Sequence, residues 1–280
     1  MDIGVFGATG VIGSRVVEEA RRRGHAVRAF AGDAARVPAA REGITWQVAN
    51  WRDAESVATA IAGVDVVVSA VNAGHGIEDT IAKADDFVAG ARAMVEALTR
   101  HPAIRVVAVG GGGSLEVAPG LQLVDQPGFA EGLPENLGVP VEYHRVIVAL
   151  REALNVYRLS DRQWTYLSPS SGRIDPGTRT GRYRVGGDQL LDAEADISAE
   201  DLAVALVDEA EAARFVQRRF TVAAALRPHT LTEQPEGPRG GGGRGGGGWG
   251  YRIRGWRGGC TPQPRGGGGG GGGPGGGAGG

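Results

Sequence analysis

The sequence is poor in cysteine, in lysine and in long apolar runs, and each shortage excludes a class of protein or of site. Cys260 is the only cysteine among 280 residues, so a disulfide framework and a cysteine-based zinc site are excluded. The five histidines lie far apart in the sequence, and we expect no metal site. No stretch approaches the roughly 20 consecutive apolar residues that a membrane span requires. We therefore expect a cytoplasmic protein with no metal and no membrane contact.

Glycine is abundant, and more than half of it lies near the end of the sequence. Of 50 glycines, 26 fall within residues 236–280. Ordering such a segment costs about 1–2 kcal/mol per residue, and few large side chains are present to offset that cost by burial. We expect a folded body at residues 1–234 and a disordered Gly/Arg-rich tail at residues 235–280. The body carries 24 basic and 31 acidic side chains, and this charge of −7 argues against nucleic-acid binding by the body.

Short apolar runs alternate with longer amphipathic segments. Strands are predicted at residues 3–6, 26–31, 44–48, 64–71 and 104–109, and helices at residues 11–23, 53–62 and 77–100. This alternation is typical of an α/β protein with a doubly wound parallel sheet of Rossmann type. Residues 110–140 are rich in Gly and Pro and are predicted to form a long functional loop. Beyond it we predict a helix at 141–157, a strand at 164–167, a helix that begins at Ser198 and a last strand at 219–225, which form a small substrate-side region.

A glycine-rich motif, GATGVIG at residues 7–13, follows the first predicted strand and opens the first predicted helix. In that position Gly7 permits a tight turn, Gly10 lets the backbone approach a pyrophosphate, and Gly13 allows the helix to pack closely on the strand. The amide groups of Thr9, Val11 and Ile12 then meet the phosphates at the start of the helix. The motif predicts a dinucleotide site.

With this motif, the sequence resembles the atypical short-chain dehydrogenases/reductases. Further blocks resemble their NAD(P)H-binding, NmrA-like branch, which includes proteins described as NADH-flavin reductases. These blocks lie at residues 109–120, 164–169 and 179–189, in the family's order, and the resemblance covers about residues 1–224. The resemblance implies a Rossmann-type fold and NAD(P)H binding, and it names no substrate.

The resemblance also implies places for the two ends of the cofactor. Asn50 and Trp51 occupy the turn after the third strand that contacts adenine, where the family commonly has Asp. Ser69, Ala70 and Val71 end the fourth strand, where such folds line the nicotinamide ribose.

The choice between NADP and NAD stays open on the sequence. The family often has Arg and then Asp after the second strand, and the Arg holds the 2′-phosphate of NADP. Here the pair is Gly32-Asp33, so two replacements are open: Arg36, one helical turn on, and Arg28 on the strand, if its side chain faces the site. Asp33 either caps a short helix or faces the 2′-hydroxyl of NAD. The family resemblance and Arg36 favour NADP.

The usual catalytic motif of the superfamily is absent, and the candidate catalytic residues come from the resemblance. The best-known members of the superfamily use Tyr-x-x-x-Lys. Lys83 is the only lysine in this sequence, and the residue four positions before it is Asp79, so this motif is excluded. By resemblance, Ser114 occupies the position of a catalytic serine, and Tyr143 or His144 lies within its reach. Each also has a structural alternative, as a loop hydrogen-bonding group or a surface residue of a helix. Hydride transfer to a flavin or quinone demands little acid catalysis, so two functions follow: an NAD(P)H-dependent reductase of a small planar acceptor, or a regulator that binds NAD(P) without turnover.

Overall fold

The structure is a computed structural model that describes residues 1–170, 172–191 and 196–226. The predicted tail, residues 235–280, lies outside the described residues, as do the last residues of the predicted body, 227–234. No helix in the described ranges is both long and apolar enough to cross a membrane. Within the same ranges, no group of three His, Cys, Asp or Glu side chains lies close enough to hold a metal ion.

Strands and helices alternate through the first half of the described chain, as predicted. In chain order the strands are β1 (Asp2–Phe6), β2 (Ala26–Ala31), β3 (Ile44–Val48), β4 (Val66–Ser69), β5 (Arg105–Val109), β6 (Glu116–Ala118), β7 (Leu121–Gln122), β8 (Trp164–Pro169), β9 (Ile174–Asp175), β10 (Tyr183–Gly186), β11 (Ile197–Ser198) and β12 (Arg218–Ala224). The helices are α1 (Val11–Arg22), α2 (Ala54–Ile61), α3 (Ile77–Ala82), α4 (Asp86–Arg100), α5 (Leu133–Leu137), α6 (His144–Arg158) and α7 (Ala199–Ala212).

One large sheet organises the fold. Among the described residues it has the strand order β10-β12-β8-β5-β4-β1-β2-β3, and every neighbouring pair is parallel except β10 and β12. Helices α2, α4 and α6 pack on one face, while α1 and α7 pack on the other. The fold is therefore the doubly wound Rossmann-type α/β architecture predicted. Strand order reverses between β1 and β4, which is where such sheets bind ligands.

Two sequence predictions are wrong in detail. The single helix predicted at residues 77–100 is two helices, because α3 ends at Ala82 and α4 begins at Asp86. The turn between them buries Ala84 completely, and α3 packs near α6 whereas α4 packs on α2 and α6. The segment 110–140 is not a plain loop, because it contains β6, β7 and α5 and buries an apolar cluster of its own, formed by Leu123, Val124, Phe129 and Leu133 with Ile147 of α6.

A buried carboxylate fixes α1 to the second half of the chain. Glu19 is 4% exposed, and its carboxylate accepts hydrogen bonds from Arg22, Arg23 and Arg179 at 2.8–3.1 Å. Burial raises the pKa of Glu19, but the hydrogen bonds from the three arginines outweigh this effect, so the pKa lies well below its ordinary value of 4.5. The arginines therefore keep Glu19 charged in the folded state.

Replacing Glu19 by Gln is expected to lower the free energy of unfolding at neutral pH by about 1.5–3 kcal/mol, because hydrogen bonds to a charged acceptor are lost. The pKa of Glu19 is lower in the folded state, so its stabilisation is present above about pH 4.5 and is lost as the pH falls towards the folded-state pKa. Urea unfolding of both proteins at about pH 7 and about pH 3 measures this dependence. The difference between wild type and variant should shrink at the lower pH, and an undiminished difference would contradict the assignment.

Candidate dinucleotide-binding site

The glycine-rich turn lies at the carboxyl end of β1 and is built so tightly that it excludes side chains. Gly7 has a φ of +76°, a conformation that L-residues rarely adopt. A Cβ atom on Gly7 would lie 2.3 Å from the carbonyl oxygen of Ala70, and one on Gly13 would lie 2.1 Å from the carbonyl oxygen of Gly7. The turn is therefore packed against the end of β4 on one side and against the first turn of α1 on the other.

Gly10 differs from these two glycines. A Cβ atom there would lie 3.2 Å from the carbonyl oxygen of Gly7, so a side chain at this position requires that oxygen to shift by only a few tenths of an ångström. Gly10 is the N-cap of α1, and no side chain caps the helix. The first amides of the helix, at Val11, Ile12 and Gly13, are thus the donors that a helix leaves unpaired at its start. Together with the amide of Thr9 they form a cradle that fits a pyrophosphate.

A pocket of about 380 Å³ opens beside this cradle on the side of β2 and β3. Thr9, Ser14 and Glu18 line it on the α1 side, and Arg36 and Arg41 line it on the opposite side. Arg41 pairs with Glu18 at 3.1 Å, and a hydrogen bond from Arg21 holds the pKa of Glu18 below its usual value. The pocket therefore combines two cations with one carboxylate on the side where this fold class places adenosine.

Asp33, after β2, caps a short helix, which is one of the two roles predicted for it. The Asp33 carboxylate accepts a hydrogen bond from the amide of Ala35 at 2.9 Å and caps the short 3-10 turn Ala34–Arg36. Its role as a cap is thus the one that the structure contains. A Cβ atom on Gly32 would meet nothing within 4 Å, so the missing arginine leaves open space.

Asn50 and Trp51 lie one strand further out, after β3. The Asn50 side-chain oxygen accepts a hydrogen bond from the amide of Arg52 at 3.1 Å. The Trp51 ring packs on α4, since a Cβ atom on Gly90 would lie 2.0 Å from it, and its centroid is 6.4 Å from that of Phe87. The Trp51 ring therefore belongs to the packing of α4 against the end of β3.

The end of β4 forms the opposite wall of the cradle. The Ala70 amide donates to the carbonyl oxygen of Phe6 at 3.0 Å and so continues the pairing with β1. Ser69 is 9% exposed, while Ala70 and Val71 are half-buried. These three residues lie beside the Gly-rich turn, as a role at the nicotinamide ribose requires.

Ser114 lies in the 3-10 turn Gly112–Ser114 after β5, and it is 3% exposed. Arg219 donates to both its hydroxyl oxygen, at 2.9 Å, and its carbonyl oxygen, at 2.8 Å. Arg219 also pairs with Asp188. Since arginine has no acceptor, the Ser114 hydroxyl accepts this bond and keeps its own hydrogen for another partner.

His144 begins α6 and Tyr143 is the N-cap residue before it, and the Ser114 turn packs against this helix. A Cβ atom on Gly113 would lie 2.1 Å from the Ile147 side chain, so the turn and the helix are in direct contact. Burial raises the pKa of Tyr143. The ring of His144 lies edge-on to that of Phe129, with centroids 6.1 Å apart. The three predicted catalytic residues therefore lie in one region, although no hydrogen bond joins Ser114 to either of the others.

Sequence reasoning missed two arginines of this edge. Arg219 was only the start of a predicted strand, yet a charged residue in an otherwise apolar run is a signal for a buried partner. Arg41 lay in a polar connection without any pattern, and only the return of the chain to β3 brings it to the pocket.

A glycine-rich turn between a strand and an uncapped helix, at the reversal of strand order, defines a dinucleotide-binding α/β protein. The profile of a family described as NAD(P)H-binding matches residues 7–213. The chain belongs to this NAD(P)H-binding family of atypical short-chain dehydrogenases/reductases.

Similar sequences and solved structures support this family membership. The uncharacterized protein YwnB of Bacillus subtilis (strain 168) is 33% identical over 228 residues, which cover 79% of this chain and 98% of YwnB. A solved structure from Burkholderia pseudomallei, provisionally described as an exported protein, is 41% identical with a TM-score of 0.65, over 80% of this chain and 99% of that chain. One from Streptococcus pneumoniae, provisionally described as an NADH-flavin reductase, is 25% identical with a TM-score of 0.65, over 80% of this chain and 100% of that chain.

Proposed function

We propose that the protein is a cytoplasmic NADPH-dependent reductase that passes a hydride to a flavin, a quinone or a similar small planar acceptor. One observation carries the proposal: the Gly-rich cradle after β1 and the Ser114 turn after β5 lie at the same edge of the sheet, on either side of the end of β4. The nicotinamide, when bound, supplies the hydride, and solvent supplies the proton that the reduced acceptor also takes up. The Streptococcus pneumoniae relative described as an NADH-flavin reductase supports this class of acceptor.

For the cofactor we propose NADPH, with NADH as the alternative. The pocket beside α1 contains Arg41 as well as Arg36, so a cation remains for the additional phosphate even where Arg36 serves another part of the cofactor. The Asp33 carboxylate, which would select the 2′-hydroxyl of NAD, uses one oxygen, Oδ1, as a helix cap, and its second oxygen keeps NADH as the alternative.

The role that we propose for Ser114 is to position the acceptor. Arg219 donates a hydrogen bond to the Ser114 hydroxyl oxygen. The hydroxyl hydrogen is therefore left to donate to a carbonyl or ring nitrogen of the acceptor. A fixed donor of this kind costs little reorganisation when charge develops on the acceptor.

Tyr143 and His144 have weaker parts in this proposal. A tyrosine that serves as an acid or base needs a lowered pKa, whereas burial raises that of Tyr143. Tyr143 therefore stays protonated and contributes at most a hydrogen bond, and His144 borders the acceptor through its ring.

The burial of Ser114 favours a second candidate, a regulator that binds NAD(P) without turnover. A serine that is 3% exposed and bonded to a buried arginine is also a structural hydrogen-bonding group. Turnover separates the two candidates, because only the reductase consumes NADPH.

The test is steady-state oxidation of NADPH with FMN or a short-chain quinone. Wild type should oxidise NADPH, and Ser114→Ala should lower kcat/KM for the acceptor by about tenfold, the effect of losing one well-placed hydrogen bond. Tyr143→Phe should change kcat/KM by less than about threefold, because its hydroxyl transfers no proton.

The control is the affinity for NADPH, which should be equal in wild type and both variants. NADPH binding without oxidation by any acceptor would refute the reductase and support the regulator.

A further inference from the structure

Two loops meet across the Gly-rich turn through an arginine and a histidine. Nη1 of Arg36 lies 3.2 Å from Nδ1 of His75. Arg36 follows β2 and His75 follows β4, and these strands flank β1 in the sheet. The contact therefore spans the end of β1, where the amide cradle lies.

The position of the Arg36 side chain supports this geometry. Arg36 lines the same pocket as Ala8 and Thr9 of the turn, while its guanidinium reaches the loop after β4. The head group is thus directed over the turn towards β4, which is the direction in which a dinucleotide crosses from adenosine to nicotinamide.

The loop that carries His75 is held rigidly. Nδ2 of Asn72 donates to the carbonyl oxygen of Gly74 at 2.9 Å and to the Thr80 hydroxyl at 3.1 Å. The His75 amide donates to the carboxylate of Asp79 at 2.9 Å. A Cβ atom on Gly74 would lie 2.4 Å from the amide nitrogen of Thr80, so the chain follows α3 closely. On the other side, Arg36 ends the 3-10 turn that Asp33 caps.

We propose that Arg36 and His75 form a clasp that binds the pyrophosphate of the dinucleotide above the Gly-rich turn. The inference rests on the proposed dinucleotide site. It gives Arg36 a role that NADH and NADPH share, in place of the 2′-phosphate role expected from its sequence position.

The chemistry of the pair suits a pyrophosphate. Arginine can only donate, so Nδ1 of His75 accepts the hydrogen bond and the ring carries its hydrogen on Nε2. The Nε2 hydrogen and the remaining guanidinium hydrogens are then free for phosphate oxygens. Both side chains are exposed, and an exposed contact of this kind contributes little to folding, so stability does not explain it.

The experiment titrates NADH, NADPH and ADP-ribose into the full chain by calorimetry, for wild type, Arg36→Ala and His75→Ala. All three ligands contain the pyrophosphate, and only NADPH has the 2′-phosphate. Arg36→Ala should weaken all three by about tenfold or more, as expected for a charge-assisted hydrogen bond, and His75→Ala by about threefold to tenfold. The ratio of the NADH and NADPH affinities should not change.

Arg100→Ala is the matched control, because it removes one positive charge at the end of α4, where Arg100 pairs with Glu55 and neither residue lines the pocket. It should leave all three affinities unchanged, and the melting temperatures of all variants should equal that of wild type. A loss confined to NADPH in Arg36→Ala, or no loss with any ligand, would overturn the clasp. The titrations need no acceptor, so a chain that binds as expected and reduces nothing would refute the reductase proposal alone.

Discussion

Replacing Gly10 by Asp is expected to weaken dinucleotide binding by at least tenfold, which is about 1.4 kcal/mol, and to leave the fold intact. The new carboxylate would lie in the amide cradle, where it would occupy the place of the pyrophosphate and repel it. We expect the fold to survive the change, because a Cβ atom on Gly10 lies 3.2 Å from one backbone oxygen, and a shift of a few tenths of an ångström accommodates it. Calorimetric titration of NADPH and NADH, beside a melting curve, measures both quantities.

Two further variants make the Gly10 result specific. Gly187→Asp introduces the same side chain where a Cβ atom meets nothing within 4 Å, away from the cradle, and should bind as wild type does. Gly13→Ala should lower stability, since its Cβ atom would lie 2.1 Å from the backbone of Gly7. Full affinity in a folded Gly10→Asp variant would remove the pyrophosphate from this turn.

Replacing Arg105 by Met is expected to lower the free energy of unfolding by about 3–5 kcal/mol, because it leaves a buried carboxylate without its cation. Arg105 is 7% exposed and Glu209 is fully buried. The guanidinium donates to the Glu209 carboxylate at 3.2 Å and to the carbonyl oxygens of Glu209 and Ala210 at 2.8 Å. The melting temperature should fall by about 6–20 °C.

The control for Arg105 is an arginine in a surface pair. Arg100→Met breaks the contact with Glu55, in which both side chains are at least half exposed, and should cost less than about 1 kcal/mol. Adding Glu209→Gln to Arg105→Met should recover part of the loss, because no buried charge then remains. An Arg105→Met variant as stable as Arg100→Met would contradict this account.

The features predicted well from the sequence are those that depend on neighbouring residues. The motif at residues 7–13 predicts the tight turn directly, since only glycine fits at Gly7 and Gly13. Ser198 likewise marks the start of α7 and accepts the hydrogen bond from the amide of Asp201 that caps the helix. Parallel strands are visible as short apolar runs because both faces of the sheet are covered.

The features that were missed depend on residues far apart in the sequence. The break after α3 contains neither Gly nor Pro, and Ala84 continues the apolar pattern because the turn itself is buried. The contacts of Arg36 with His75 and of Arg219 with Ser114 span 39 and 105 residues. Only the order of strands in the sheet brings these residues together, and composition and periodicity contain no record of that order.

The apolar cluster of residues 110–140 is separate from the clusters that lie beneath the Gly-rich turn. Leu123, Val124, Phe129 and Leu133 pack on Ile147 of α6 and not on the clusters that hold the Gly-rich turn in place. Substitutions in this segment can therefore reshape the surface beside the Ser114 turn while the hydrophobic support of β1 and α1 stays as it is. A fold built in this way can vary the surface beside its cofactor site and keep the site itself, since the two depend on different apolar clusters.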